Sequence, residues 1–217
     1  LYSLAEDYAA ANQRGKEIEI LQQIGDDNPN SVLALSKLRD ARLESRDWEK
    51  AVDLQKEILR LASFPESEKE RRRLCEIIHL NAMHYCEQGD TDSARDELQR
   101  AIKEDKGSLP AYIALGDLYF KDNLRKDALK IWKSGFSATK SAACLQRIQL
   151  MAEGDFIKLC ESELSSHPAR SDIAAMLGAL FLEKGENGKA AQILEDTAAH
   201  SSLSHHILLV AARQAKN

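Results

Sequence analysis

HYCEQGDTDSARDELQRAI (84–102) and LYFKDNLRKDALKIWKSGF (118–136) are two copies of one pattern, and their agreement decides the fold. Tyr85, Ala94, Leu98 and Ala101 stand over Tyr119, Ala128, Trp132 and Gly135, each pair 34 residues apart. A fixed period of this length marks units that bury their apolar faces only by stacking on neighbours. Working outward, Leu115, Gly116, Ala128 and Trp132 recur as Leu177, Gly178, Ala190 and Leu194, each 62 residues later. Because 62 is one period plus 28, a shortened and degenerate unit is expected between them, over 141–167. Toward the N-terminus Ala94 maps to Ala51, 43 residues earlier, and the surplus of nine falls in Ala62 to Arg71, around Pro65. Residues 1–26 read as one more, poorly matched helix pair.

Within a unit the apolar residues form two stripes at helical spacing. Tyr112, Leu115, Leu118 and Tyr119 mark one helix, and Ala128, Leu129, Ile131 and Trp132 mark the next. The polar turns QGDTDS, KDNLRKD, EGD and KGENGK separate the members of successive pairs. A glycine or asparagine there ends a helix in the left-handed conformation, and a following Asp or Asn caps the next. Gly116 and Ala128 are expected where two helix axes approach within about 8–10 Å, with Tyr119 and Trp132 filling the space beside them.

Composition agrees with an all-α protein. Only four prolines and ten glycines interrupt a chain of 217 residues that is 43% hydrophobic and 30% charged. A net charge of −5 argues against nucleic acid, whose binders need a basic surface to neutralise phosphate. The densest basic run, Arg71-Arg72-Arg73, follows Glu66, Glu68 and Glu70, as on a solvated helix face. The longest apolar stretches, such as Ile207 to Ala212, are far below the ~18 residues of a membrane span, so no direct membrane insertion is expected of this fragment. Cys75, Cys86, Cys144 and Cys160 form no CxxC pair and read as small buried residues in a reducing compartment, hence a cytoplasmic protein.

These positions resemble the tetratricopeptide signature of aromatic, Leu-Gly, aromatic, Ala, aromatic, Ala and then Pro. The 109–140 unit carries it most fully, in Tyr112, Leu115-Gly116, Tyr119, Ala128 and Trp132, and Pro168 stands as a repeat-ending proline. The resemblance implies an all-α, right-handed solenoid of about five to six antiparallel helix pairs. The expected units are 1–26, 28–62, 72–106, 109–140, 141–167 and 168–200 of a single domain, with a terminal capping helix over 203–215. Ser201 or Ser202 would start that helix, and Leu203, Ile207 and Leu208 would give it an apolar side, with His200, His205 and His206 on its polar side.

The order of features is also similar to the cytoplasmic repeat region of the lipopolysaccharide assembly protein B family of Gram-negative bacteria. It runs from DWEKAVDLQKEIL (47–59) through a lengthened spacer and HYCEQGDTDSARDELQRAIKEDKGSLPAYIALGDLYF (84–120) to a degenerate pair and a late SSHP turn (165–168). That resemblance implies an adaptor, tethered to the inner membrane, that brings the deacetylase committing lipid A synthesis to a membrane-bound AAA protease. The family's N-terminal anchor and its C-terminal zinc module with two CxxC pairs do not occur within these 217 residues. A chain that opens at Leu1 reads as a piece of a longer one.

The tetratricopeptide resemblance also implies where a protein or peptide partner would lie, along the concave side of the first helices. The implied groove residues are Asp40 and Leu43, then His79, Met83 and Cys86, then Ile113, Asp117, Phe120 and Lys121, and finally Met176 and Leu182. An apolar, mildly acidic groove suits an amphipathic helix or an extended segment with a basic residue. Packing between repeats is the competing role for several of them. The carboxylate clamp of chaperone-binding repeats is excluded, because Ser36, Asp40, Leu80, Pro110 and Ala114 at the matching positions supply no positive charge.

No catalytic residue, metal site or cofactor is expected. Cys75 and Cys86 on one helix lie about 16 Å apart, too far to share a zinc ion. The C-terminal histidines have no nucleophile motif or phosphate loop beside them. The expected function is a non-catalytic interaction scaffold, with self-association through exposed end faces left open. The alternative is a substrate-selecting or regulatory repeat domain of a larger enzyme or of an unrelated bacterial complex.

Overall fold

A computed structural model describes residues 1–200, in twelve α-helices with no strand among the described residues. In chain order they are α1 (Tyr2–Ala10), α2 (Arg14–Asp27), α3 (Val32–Glu44), α4 (Trp48–Leu61), α5 (Glu66–Gln88) and α6 (Thr91–Glu104). They continue with α7 (Leu109–Lys121), α8 (Arg125–Thr139), α9 (Ala142–Met151), α10 (Glu153–Ser166), α11 (Ser171–Glu183) and α12 (Asn187–His200). Contacts gather them into two compact units, Leu1–Leu124 with α1 to α7 and Arg125–Asn217 with α8 to α12. The expected capping helix over 203–215, with His205 and His206, lies outside the described residues.

In the first unit each helix packs on the one before it, and the short connections make neighbours antiparallel. The turns follow one design. Asn12, Arg46, Gly89 and Asn123 all take positive φ, between 54° and 80°. The next amide then bonds back to the carbonyl five residues earlier: Gln13 to Tyr8, Asp47 to Arg42 and Asp90 to Tyr85 at 2.9 Å, and Leu124 to Tyr119 at 2.8 Å. This closure satisfies carbonyls that a helix end would otherwise leave open. Asn12 and Arg46 stand 34 residues apart, so even the weakly matched N-terminal pair keeps the period in its backbone. Gly89→Ala is expected to cost about 1 kcal/mol, because an alanine Cβ crowds the following carbonyl at positive φ. Gly89→Asn should lose only a few tenths of that, since asparagine tolerates this conformation, as it does at residue 123. Denaturant midpoints of the two variants check the difference.

The surplus between the second and third pairs is mostly helix. Pro65 caps α5, and residues 66–71 form its first turns, so α5 has 23 residues where α3 and α7 have 13. Glu66 and Glu68 in the first turn suit the positive end of the helix dipole. Buried Gln55 on α4 holds this extension in register: it accepts from Arg39 at 2.7 Å and donates to Glu70 at 2.7 Å (Oε2) and 3.0 Å (backbone carbonyl). The α1–α3 core is Ala5, Leu21, Ile24, Ala34, Leu38 and Ala41, with Tyr2 and Leu54 against it.

In the second unit, Gly185 repeats the left-handed closure, with Glu186 bonding to Phe181 at 2.8 Å. The EGD turn of the shortened pair does not: α10 already begins at Glu153, and Gly154 lies inside its first turn. α9 and α10 instead meet at the single residue Ala152, at φ −148° and ψ 72°. A junction that short has no room for a left-handed residue. The pair keeps its own core, with Leu145, Ile148, Phe156 and Cys160 fully buried. Glu163 is buried too, and its charge is met by Lys140 at 2.8 Å, His167 at 3.1 Å and Arg170 at 3.5 Å.

Candidate protein-binding groove

The first unit holds an open cavity of about 460 Å³ between α5 and α7. From α5 it is lined by His79, Met83 and Cys86, one stripe at i, i+4 and i+7. From α7 it is lined by Pro110, Ile113, Ala114, Asp117, Leu118 and Lys121, which again share a helix face. At 1.5 Å per residue the α7 stripe runs roughly 16 Å, the length of about five extended residues. The volume lies within the ~300–1,000 Å³ common for ligand pockets. Its floor is apolar and soft, made largely of a thioether, a thiol and branched aliphatic carbon, and such side chains repack around varied guests.

The polar groups are sparse. Burial lowers the His79 imidazole below its ordinary value, which favours its neutral form, and among the described residues its shielded Nδ1 finds no hydrogen-bond partner. Burial raises the Cys86 thiol, against the pull of the Lys121 ammonium, which keeps it protonated. Cys75, on the same helix, does not line the cavity. Its Sγ lies 3.6 Å from the Ala101 carbonyl, and burial pushes its thiol up to about 11. Cys144 is fully buried, and the buried Cys160 thiol is pushed up to about 12. Of the four cysteines, then, only Cys86 is partly exposed. A thiol reagent at about pH 8 is expected to modify one cysteine per native chain, at Cys86, and all four after denaturation. Rapid labelling of two or more native thiols contradicts this arrangement.

Six of the residues expected to line a groove therefore come together: His79, Met83, Cys86, Ile113, Asp117 and Lys121. Phe120 is 46% exposed but lies off the cavity, because one step back from Lys121 turns a side chain about 100° around the helix. Asp40 belongs to a separate cleft between α1 and α3, and Leu43 is half-buried. Met176, half-buried, and Leu182, 41% exposed, lie in the second unit. Sequence reasoning missed Leu118 as a lining residue and considered Pro110 and Ala114 only as clamp positions. Their spacing from Ile113 and Asp117 was the available signal.

The repeat signature's tyrosines tie α5 and α7 to the helices that precede them. Tyr85 donates to Glu49 on α4 at 2.9 Å, and Tyr119 is met by Gln99 on α6 at 3.3 Å and by the Arg95 guanidinium over its ring at 5.4 Å. Arg95 also bonds Asp122 at the end of α7. Among the described residues no group of three or more His, Cys, Asp or Glu could hold a metal ion, and no helix is long and apolar enough to cross a membrane.

The tetratricopeptide repeat family model matches residues 85–140, which span α6, α7 and α8 with the end of α5. No curated protein matches the chain by sequence. Among solved structures, the chain is similar to MamA at 15% identity, covering 98% of this chain and 94% of that one with a TM-score of 0.39. It is similar to YrrB, described as a tetratricopeptide repeat protein with an unusual peptide-binding site, at 12% identity, covering 98% and 90% with a TM-score of 0.36. It is also similar to the C-terminal part of a tetratricopeptide repeat protein from Cytophaga hutchinsonii, at 12% identity, covering 99% and 85% with a TM-score of 0.47. The described residues are all-α, and the helix pairs over residues 85–140 are of the tetratricopeptide type.

Proposed function

We propose that this chain is a non-catalytic adaptor that holds a short segment of a partner protein in the groove between α5 and α7. The observation that carries this reading is the convergence of His79, Met83, Cys86, Ile113, Asp117 and Lys121 on one cavity. Two facing stripes leave apolar side chains open where helix packing would otherwise cover them. Met83→Glu combined with Lys121→Glu is expected to reduce capture of crosslinked, mass-identified partners at least tenfold, because a carboxylate on the floor must be desolvated by any apolar guest. Half-buried Met83 and exposed Lys121 can change without disturbing the core, so helical circular dichroism should be retained. Undiminished recovery of the same partners by the folded double variant would overturn the reading.

A narrower reading is that the partners are the deacetylase committing lipid A synthesis and a membrane-bound protease, on the cytoplasmic side of the inner membrane. What supports it is the order of irregularities: a long α5, two well-phased units, then the shortened α9–α10 pair. Binding of purified deacetylase to this chain, lost in the groove variant, is the expected result. Absence of binding removes this reading and leaves the adaptor reading standing.

A further inference from the structure

We infer that the second unit carries a binding site of its own, between α10 and α12, for a partner segment that sets a bulky apolar side chain beside a lysine or arginine. An adaptor needs two points of attachment, and this one does not rest on the α5–α7 groove.

A cavity of about 480 Å³ lies between these two helices, with α11 contributing its floor. The floor is apolar: Leu177 and Phe181, one turn apart on α11, are both buried, and half-buried Leu164 of α10 and Ile193 of α12 stand beside them. Along α12 the lining runs from Lys189 to His200, roughly 16 Å at 1.5 Å per residue, which is room for about five extended residues. That length suits a peptide segment better than a compact ligand.

Thr197 points to a guest. It is 3% exposed and lines the cavity, yet its hydroxyl has no hydrogen-bond partner among the described residues. Thr139, also helical, donates its hydroxyl back to the Gly135 carbonyl at 2.7 Å, and Thr197 makes no such bond. Buried polar groups are seldom left unpaired, and a peptide's backbone N–H or carbonyl supplies the missing partner. The walls give the sign of the guest. Glu161 from α10 and Asp196 from α12 both line the cavity, and neither carboxylate has an ion-pair partner among the described residues. His200 Nδ1 lies 2.8 Å from the Asp196 backbone carbonyl, which leaves the carboxylate itself open. Lys189, the lysine of the lining, is already met by Glu186 and lies over the Phe181 ring at 5.3 Å. Two open carboxylates on facing walls, with an apolar floor between them, complement a cation that adjoins an apolar group and repel an acidic segment.

A random seven-residue peptide library displayed on phage, selected on the full chain carrying Met83→Glu/Lys121→Glu, tests the inference with the α5–α7 groove blocked. The expected consensus has Phe, Tyr, Leu or Met within two positions of Lys or Arg, and neither Asp nor Glu. The synthetic consensus peptide should bind the unaltered chain, bind about tenfold more weakly to Glu161→Gln/Asp196→Asn, and weaken with added salt, as screened charges do. Thr197→Val keeps the shape and removes the hydroxyl. It should weaken binding about threefold and leave the thermal midpoint of the free chain no lower, since no internal bond is lost. No enrichment, a consensus without a basic residue, or unchanged affinity for the neutralised variant overturns the site and leaves the α5–α7 groove untouched. A lowered midpoint for Thr197→Val overturns it too, because the hydroxyl is then bonded within the chain. Affinity that rises in Arg213→Glu/Lys216→Glu makes this chain's own C-terminal residues the occupant and overturns a foreign one.

Discussion

Phe156→Ala is expected to destabilise the second unit by about 3–5 kcal/mol, the largest effect of any single substitution considered. Phe156 is fully buried on α10, in the pair whose sequence departs furthest from the repeat. The loss has two parts: the aromatic ring's transfer out of water, and the void left because helices on both sides relax only partly. α10 packs on α9 and on α11, so neither side can close in without opening the other contact. Calorimetry should show the effect as a lowered transition, with far-ultraviolet circular dichroism at low temperature unchanged. A loss under 1 kcal/mol would mean that the shortened pair is not packed as a repeat.

Gly178 supplies the second large effect, and its sign depends on side-chain size. A Cβ placed there would lie 3.3 Å from Leu194 Cγ and 3.4–3.5 Å from its two methyls. Gly178→Ala gains about 1 kcal/mol of helix propensity and asks Leu194 to give by a few tenths of an ångström. The two terms nearly cancel, so stability should change little. Gly178→Leu keeps the propensity gain but drives a branched side chain into Leu194, with overpacking of about 1–3 kcal/mol or more. Denaturant midpoints of the pair separate contact from propensity, since both variants remove the same glycine. Equal midpoints would place the close approach of α11 and α12 elsewhere.

Gly178 and Leu194 were legible because they repeat Gly116 and Trp132 at one offset, and small–large pairing follows from side-chain volume alone. The groove was partly legible for a similar reason. Helical periodicity puts His79, Met83 and Cys86 on one face wherever that helix sits. Phe120 lies beside the cavity and not in it, because a stripe's edge depends on how a helix is rotated against its neighbour. Asp40 stands apart from that cavity, in the cleft lined by α1 and α3, because the unit that carries it comes earlier in the chain. The helical run 66–71 and the one-residue junction at Ala152 were read as a spacer and a glycine turn. In both places the local signals, Pro65 and Gly154, are compatible with either arrangement.

Sequence alone determined the period, the pairing of helices and the positions of the small residues, because these follow from 3.6-residue periodicity and side-chain volume, which act locally. The recurrence that joins 84–102 to 118–136 extends in the backbone to Asn12, a unit whose side chains hardly show it. Only the tertiary structure decided which faces stay open. Whether Met83 and Ile113 floor a cavity or vanish into a helix contact depends on how far apart α5 and α7 are held. Each of the two helices is tied elsewhere, α5 to α4 by Tyr85 on Glu49 and α7 to α6 by Gln99 on Tyr119. Exposure is a property of distances between elements, and no single helix's pattern contains it.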